Sequence, residues 1–230
     1  MPRAVLFDLD DTLIDYSGAV EACWDRACAL AAQHGLDVAA VARTVHDVRR
    51  WFWADRERHA RERTDMLGAW TKIVAIALGR LGHASDALAA AVASDFAVRR
   101  EAATTLFADV IPCLTALRAR GVAVGCVTNG DARLQRAKLA RHGLAALFDA
   151  IVIEGEFGAG KPDPAVYRHV LGALGATPGE ATMVGDNLEW DVAGPLRLGM
   201  NGVWIDRGGS GLPPGASVRP TRVIRSLAEL

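Results

Sequence analysis

Apolar and polar positions follow two different periods along the chain. Five short apolar runs, each bounded by Gly, Asp, Asn or Pro, predict buried β-strands. The runs lie at Ala4–Phe7, 122–127, Ala150–Ile153, 181–184 and 202–205. Helical spacing separates the later runs, and Asp163-Pro164 is typical of an N-cap followed by a first-turn proline. Strands that alternate with helices predict a parallel sheet with right-handed crossovers.

The segment 16–104 breaks this alternation. It is rich in Ala, Leu, Arg and Trp, contains no proline, and shows helical spacing throughout. Ser85 has the position of an N-cap, and Gly35 and Gly82 have the positions of helix ends. We therefore predict an all-helical cap at 16–104, inserted after the first strand of an α/β core formed by 1–15 and 105–230.

Composition and charge restrict the kind of partner. The 230 residues are 51% hydrophobic and 23% charged, a balance typical of a folded globular chain. The formal net charge is −1, which disfavours a nucleic-acid polymer as partner, because proteins that bind one usually carry a basic excess. A small anionic ligand is compatible with this charge.

Cysteine spacing and hydropathy bear on the compartment. The four cysteines have no CxxC spacing and predict reduced, mostly buried thiols; they are Cys23, Cys28, Cys113 and Cys126. The first apolar run is too short for a signal peptide, and no stretch approaches the ~18 apolar residues of a membrane span. These features predict a cytoplasmic protein without a membrane partner. No pattern in the sequence indicates the oligomeric state.

Polar side chains follow four of the five predicted strands. The set is Asp8 and Asp10 after the first strand, Thr128 and Asn129 after the second, Lys161 beyond the third, and Asp186 and Asp191 after the fourth. The carboxyl ends of parallel strands share one edge of a sheet, so we expect these side chains to converge. Clustered carboxylates repel one another unless a cation is bound, and an all-oxygen set suits Mg²⁺. Hydroxyl and ammonium donors suit phosphate oxygens, so the pattern predicts a phosphoryl-transfer site.

Four segments together resemble the motifs of the haloacid dehalogenase superfamily. They are 7–12 (FDLDDT), 127–130 (VTNG), 160–164 (GKPDP) and 184–191 (VGDNLEWD), in the family's order. The inserted helices resemble that family's helical cap, and the chain is most similar to helical-cap phosphatases acting on nucleotides, sugar phosphates or phosphoglycolate. The resemblance implies a Rossmann-like three-layer core. We expect the strand order 5-4-1-2-3, with the five predicted strands counted along the chain.

The resemblance implies an enzyme that hydrolyses small phosphate monoesters with Mg²⁺. Asp8 would attack phosphorus and form an aspartyl-phosphate. Asp10 would protonate the leaving alcohol and then deprotonate the water that hydrolyses the intermediate. Asp8, the main-chain carbonyl of Asp10, and Asp186 would hold the metal.

The remaining motif residues would bind the phosphoryl group or support those that do. Thr128 and Lys161 would hold its oxygens, and Asn129 would contribute through the backbone of its turn. Asp191 would orient Lys161 or a water molecule on the metal, and Glu189 competes with it for this task. Without the resemblance, Asp191 would be interpreted as a carboxylate favoured in the first turn of a helix.

A nucleotide-binding P-loop is the first alternative. Residues 155–161 fit Gly-x4-Gly-Lys after a predicted strand, but the next residue should be Ser or Thr. Pro162 stands there and offers neither a hydroxyl nor a backbone N–H. We therefore reject the P-loop interpretation.

Three further alternatives share the four motifs or their remnants. Dehalogenases of the superfamily need no Mg²⁺ and lack the second aspartate, whereas this chain has Asp10 and Asp186. A phosphomutase has the same motifs and differs in what its cap admits. A binding protein without turnover would be expected to have lost the nucleophile or the acid/base first.

Substrate choice would depend on the cap and on residues beside the first motif. Trp51 and Trp53 lie in an arginine-rich stretch and are candidates for stacking on a base or sugar. The alternative is a solvated arginine face with tryptophans that pack the cap core. Asp15 lies close to the first motif and is a candidate for the entrance to the site.

Overall fold

The computed structural model describes residues 2–230. It divides into two compact units, one comprising the chain up to Asp15 together with Thr105–Leu230 and the other comprising Tyr16–Thr104. We call the first the α/β unit and the second the helical unit.

Residues 2–230 form eight strands and ten α-helices. The strands are β1 (Ala4–Phe7), β2 (Ile14–Asp15), β3 (Thr105–Leu106), β4 (Ala123–Thr128), β5 (Ala150–Ile153), β6 (Ala181–Gly185), β7 (Asn201–Ile205) and β8 (Arg222–Ile224). The helices are α1 (Val20–Cys28), α2 (Val38–Ala54), α3 (Arg56–Glu62), α4 (Met66–Arg80), α5 (Asp86–Ala103), α6 (Val110–Ala119), α7 (Ala132–Arg141), α8 (Glu154–Phe157), α9 (Pro164–Ala173) and α10 (Gly194–Arg197). Short 3-10 helices lie at Ala29–His34, Ala145–Leu147, Pro178–Glu180 and Leu227–Glu229, and a π-helix lies at Leu188–Ala193.

The main sheet is parallel throughout and has the order β5-β4-β1-β6-β7-β8. The five predicted strands are all present and lie in the predicted order. The sixth strand, β8, was not predicted from the sequence, nor was the two-stranded antiparallel sheet of β2 and β3. The fold class is thus confirmed, with an additional edge strand.

The sheet is covered on both faces because the side chains of each strand alternate between two apolar layers. Val5 and Phe7 of β1 belong to one core, which also contains Leu114 of α6. Ala4 and Leu6 belong to the other core, which also contains Val170 of α9. The three-layer arrangement leaves the carboxyl ends of the strands as the open edge.

The helical unit is built from α1 to α5. Its main contacts join α4 to α5 and α2, and α1 to α5 and α2. Trp24 stacks on Phe96 with ring centroids 3.7 Å apart, and Trp70 meets Phe96 edge-on at 4.9 Å. The predicted N-cap at Ser85 is confirmed, because its hydroxyl accepts a hydrogen bond from Leu88 N–H.

The cysteines are buried free thiols, as predicted. Burial raises the pKa of Cys28 to about 12 and that of Cys113 to about 11, so these thiols are poor nucleophiles. Within residues 2–230, no helix combines the length and the apolar character that crossing a bilayer requires.

Candidate active site

A tight turn follows β1 and presents the first two aspartates. Asp11 has φ 56°, a left-handed conformation that Asp tolerates, and its N–H donates to the carbonyl of Ile14 at 2.7 Å. Arg207 donates to the carbonyl of Thr12 at 2.7 Å and so holds the turn from a distant loop. The turn therefore carries Asp8 and Asp10 to the carboxyl edge of the sheet.

A cavity of about 140 Å³ lies at this edge. Its lining consists of Asp8, Asp10, Asp11, Thr128, Asn129, Asp186, Asn187 and Trp190. The cavity thus brings together five of the predicted site residues from three strand ends. Lys161 and Asp191 contact this group from the protein interior.

Lys161 is buried and paired with two carboxylates. Its Nζ lies 2.6 Å from Asp8 Oδ1 and 2.7 Å from Asp191 Oδ1, and only 1% of the residue is exposed. Burial alone would lower the pKa of Lys161, but the charges of Asp191 and Asp8 raise it above its ordinary value. Lys161 is therefore a permanent cation beside Asp8.

Asn129 joins the second motif to the third. Its side-chain amide donates to the carbonyl of Lys161 at 2.8 Å, and its Oδ1 accepts from the Lys161 N–H at 2.7 Å. This pair of bonds fixes the main chain of Lys161. Direct contact of Asn129 with a phosphoryl group stays a prediction.

Three carboxylates form a candidate cation site. Oxygens of Asp8, Asp186 and Asp191 lie within 4.8 Å of one another. Burial raises the pKa of Asp8 to about 7, with Lys161 opposing this rise and Asp191 adding to it. Removal of its carboxyl from water, followed by the charges of Asp8 and Asp191, raises the pKa of Asp186 to about 8. Asp186 as a whole is exposed, so repulsion from these two carboxylates is an important cause of its raised pKa.

The donor set fits Mg²⁺. Its members are carboxylate oxygens, the hard ligands that this ion prefers, and they come from two different strand ends. The raised pKa values of Asp8 and Asp186 mean that Lys161 alone does not neutralise the cluster. A divalent cation would remove that repulsion.

Gly185 and the π-helix place Asp191. Asp191 Oδ2 accepts from the Asn187 N–H at 3.0 Å, while Oδ1 faces Lys161. A Cβ at Gly185 would lie 2.3 Å from the Asp191 carboxyl, so only glycine admits this packing. Glu189, the sequence-based competitor of Asp191, pairs instead with Arg197 at 2.8 Å on the surface.

Gly185→Ala should therefore displace Asp191 and loosen Lys161. We expect a loss of about 1–3 kcal/mol in the free energy of unfolding, measured by urea titration, because overpacking a filled site has this cost. Gly172→Ala in α9 is the matched control, since a Cβ there meets nothing within 4 Å. The control should be neutral or slightly stabilising. Equal stability of the two variants would contradict this account of Asp191.

The structure adds two residues that sequence reasoning missed, Gln135 and Lys138 of α7. Lys138 Nζ lies 2.7 Å from Asp10 Oδ1, and Gln135 Nε2 donates to Asp10 Oδ2 at 3.0 Å and to Thr128 Oγ1 at 2.6 Å. The available signal was a pair of long polar side chains three positions apart on the helix after the second motif. Such a pair usually lies on a solvated face, so the sequence alone does not mark it as part of a site.

Glu154 was also missed. It is buried, and its Oε2 accepts from the Gly130 N–H at 2.9 Å. A Cβ at Gly160 would lie 2.5 Å from its carboxyl, so the loop that carries Lys161 passes directly over it. Glu154 therefore supports both the second and the third motif.

The residues predicted for substrate choice lie outside the cavity lining. Asp15 is in β2, and the two tryptophans are in α2 of the helical unit. Trp51 is 47% exposed, with the Arg58 guanidinium 3.9 Å from its ring centroid, so it does not pack a core. Trp53 meets Phe52 edge-on at 5.0 Å. Their role in specificity stays a prediction.

The fold and the site define a class. A parallel α/β sheet carries clustered carboxylates and a buried ammonium at its carboxyl edge, which is the arrangement of an enzyme that acts on an anionic group. The chain belongs to the haloacid dehalogenase-like hydrolases, whose family profile matches residues 2–199.

Individual relatives and solved structures agree with this assignment. The chain is 34% identical over 224 residues to phosphoserine phosphatase of Thermus thermophilus, covering 90% of this chain and 89% of the relative. It is 34% identical over 213 residues to glyceraldehyde 3-phosphate phosphatase of Methanopyrus kandleri, covering 90% and 85%. The HAD-hydrolase YfnB of Bacillus subtilis, bound to magnesium, has a TM-score of 0.73 at 22% identity, covering 99% and 96%. A 2-haloacid dehalogenase of Pseudomonas syringae has a TM-score of 0.70 at 26% identity, covering 100% and 96%. The chain is thus a phosphatase of this family.

Proposed function

We propose that this protein is a Mg²⁺-dependent phosphatase that hydrolyses a nucleoside monophosphate or a sugar phosphate through an aspartyl-phosphate on Asp8. The observation that carries the proposal is the environment of the Asp8 carboxylate. It faces a small polar cavity, it is paired with Lys161, and it lies within 4.8 Å of the carboxylates of Asp186 and Asp191. A cytoplasmic location is part of the proposal.

Asp8 is suited to attack phosphorus. Lys161 donates to Oδ1 at 2.6 Å. Oδ2, which accepts a hydrogen bond of 3.4 Å from the hydroxyl of Thr12, is the oxygen proposed to form the new P–O bond. As this bond forms, the bond from phosphorus to the ester oxygen breaks. Lys161 and Thr128 then offer an ammonium and a hydroxyl to the phosphoryl oxygens.

Asp10 is suited to move the proton in both halves of the reaction. It gives a proton to the ester oxygen as the alcohol leaves. It then takes a proton from the water that attacks the aspartyl-phosphate, which breaks the bond to Asp8 and releases inorganic phosphate. Asp10 lines the same cavity as Asp8, which supports this division of roles.

The ligands proposed for Mg²⁺ are the carboxylates of Asp8 and Asp186 and the main-chain carbonyl of Asp10. Mg²⁺, when bound, would neutralise the charge that develops on the phosphoryl oxygens. Asp191 would hold Lys161 in place, and its Oδ2 is anchored by the Asn187 N–H. Asn129 would act through the backbone of its turn.

The helical unit is proposed to serve as the cap that selects the substrate. It is inserted between β2 and β3, directly after the first motif. Trp51 and Trp53 of this unit are proposed to stack on the substrate. Asp15 of β2, in the α/β unit, is proposed to line the entrance to the site.

Dehalogenation is the alternative that a structural likeness favours, since one similar structure is a 2-haloacid dehalogenase. Cleavage of a carbon–halogen bond yields no alkoxide to protonate, so it needs neither an acid at Asp10 nor a metal ligand at Asp186. Both residues line the cavity, which favours the phosphatase. A phosphomutase would use the same residues, and it is distinguished by isomerisation that a sugar bisphosphate primes.

Purified protein should release inorganic phosphate from a panel of phosphorylated metabolites, and its activity should disappear with EDTA and return with Mg²⁺. The panel includes nucleoside monophosphates, sugar phosphates and a generic aryl phosphate, each with and without Mg²⁺. 2-Chloropropionate, assayed for chloride release, is the parallel test of dehalogenation. Phosphate release that is indifferent to EDTA, or chloride release without phosphate release, would contradict the proposal.

A further inference from the structure

Two side chains of α7 donate hydrogen bonds to the carboxylate of Asp10. Lys138 Nζ lies 2.7 Å from Oδ1 and 2.8 Å from Oδ2, and Gln135 Nε2 donates to Oδ2 at 3.0 Å. Lys138 and Asp10 are 128 positions apart in the sequence. Both carboxylate oxygens therefore have a donor from a single helix.

Lys138 and Gln135 are both buried, although their side chains are polar. Lys138 is 7% exposed and Gln135 is 2% exposed, and burial of an ammonium or an amide is unfavourable without partners. They are three residues apart and so project from one face of the helix. The Asp131 side chain caps α7 by accepting from Leu134 N–H, which sets the start of the helix directly after the second motif.

The Gln135 amide also connects Asp10 to the second motif. The same Nε2 also lies 2.6 Å from Thr128 Oγ1 and 3.1 Å from the Asn129 carbonyl oxygen, so its two protons are shared among three acceptors. The carboxylate of the first motif and the hydroxyl of the second are thus held at a common point. A proton-transfer group must lie within hydrogen-bond reach of the reacting oxygen, so its rotamer matters.

We propose that Lys138 and Gln135 are positioning residues that hold Asp10 in the orientation from which it exchanges a proton with the leaving oxygen and with water. The inference rests on the proposed function, because it assigns Asp10 the acid/base role. It adds residues outside the four motifs. Neither residue contacts the substrate in this proposal; Lys138 acts through Asp10, and Gln135 acts through Asp10 and Thr128.

The leaving group makes this role measurable. An alkyl alkoxide cannot depart without a proton, whereas an aryl oxide departs readily without one. The ratio kcat/KM reports the steps up to departure of the leaving group. Lys138→Met should therefore lower kcat/KM by about 10- to 100-fold for an alkyl phosphate and by less than about threefold for p-nitrophenyl phosphate. Lys138→Arg keeps a cationic donor and should recover part of the loss, and Gln135→Met should show the same pattern more weakly.

A double-mutant cycle separates positioning from a general structural role. With p-nitrophenyl phosphate, whose turnover still needs Asp10 as base, Lys138→Met should lower kcat in the natural chain but add no further loss to Asp10→Asn. Arg133→Met removes an exposed basic side chain from the same helix and is the control for loss of charge and for folding. Circular dichroism checks that each variant folds.

Two results would overturn the inference while the proposed function stands. One is that Lys138→Met lowers kcat/KM equally for alkyl and aryl phosphates. The other is that Lys138→Met lowers kcat as much in the Asp10→Asn variant as in the natural chain. If Lys138→Met does not fold, Gln135→Met and Lys138→Arg are subject to the same two criteria. A natural chain that releases no phosphate from any monoester would instead overturn the proposed function and this inference with it.

Discussion

Asp8→Asn should fold normally and lose essentially all phosphate release, by about 10⁴-fold or more. An amide cannot attack phosphorus, and Asp191, the other carboxylate paired with Lys161, does not line the cavity. The fold should survive because the amide oxygen can still accept the hydrogen bond that Lys161 donates at 2.6 Å to Asp8 Oδ1. The measurement is the rate of phosphate release with saturating Mg²⁺, with thermal unfolding recorded in parallel.

Asp37→Asn is the matched control for this substitution. Asp37 is exposed and caps α2, and Asn is as good an N-cap as Asp, so the same chemical change is made away from the cavity. Its activity should equal that of the natural chain. Near-normal, Mg²⁺-dependent turnover by Asp8→Asn would refute the aspartyl-phosphate mechanism.

Asp186→Asn should make the metal-free protein more stable at about pH 8 while it abolishes most of the activity. The pKa of Asp186 is raised from 3.8 to about 8, so the folded state holds this proton more tightly than the unfolded chain does. Across that range the folded state binds more protons, and the free energy of unfolding falls as pH rises. A neutral amide removes this dependence, and Tm should rise by about 2–4 °C for each kcal/mol recovered in a protein of this size.

With Mg²⁺ present, the natural chain should become more stable than Asp186→Asn. Mg²⁺ that binds only the folded state should raise the Tm of the natural chain. The rise should be larger at about pH 8 than at lower pH, because fewer of the carboxyl groups are protonated there. The Tm of Asp186→Asn should barely respond, and its phosphate release should fall by about 100-fold or more.

Glu189→Gln is the neighbouring control for Asp186→Asn. Glu189 lies three positions away and pairs with Arg197 on the surface, so its loss should leave the Mg²⁺ response intact. Persistent stabilisation of Asp186→Asn by Mg²⁺ would show that the cation binds elsewhere. A metal-free Asp186→Asn that is less stable than the natural chain at every pH would contradict the repulsion inferred within the cluster.

The strands of the core were predictable because a buried parallel strand is a continuous apolar run bounded by residues that break it. The strand that was missed, β8, is at the edge of the sheet, and two of its three residues are exposed, which leaves almost no apolar signal. The pairing of β2 with β3 was missed for a different reason. Each is two residues long, and their partnership spans the whole helical segment.

The polar site was predictable only as far as it lies next to strand ends. Asp8, Asp10, Thr128 and Asp186 meet at one cavity because parallel strands deliver their carboxyl ends to one edge. Gln135 and Lys138 lie on a helix, where the sequence does not say which face is buried against a distant loop. Their meeting with Asp10 depends on how α7 packs, which no local pattern contains.

The sequence by itself determined the order and type of the core elements and the chemical character of the site, because these follow from periodicity and from which residues end each strand. The tertiary structure alone decided which charges touch. It pairs Lys161 with Asp8 and Asp191, and it pairs Lys138 with Asp10. It also packs the Asp191 carboxyl against Gly185, where a Cβ would not fit. Such contacts depend on distances of a few ångströms between segments far apart in the chain, and those distances are set by packing.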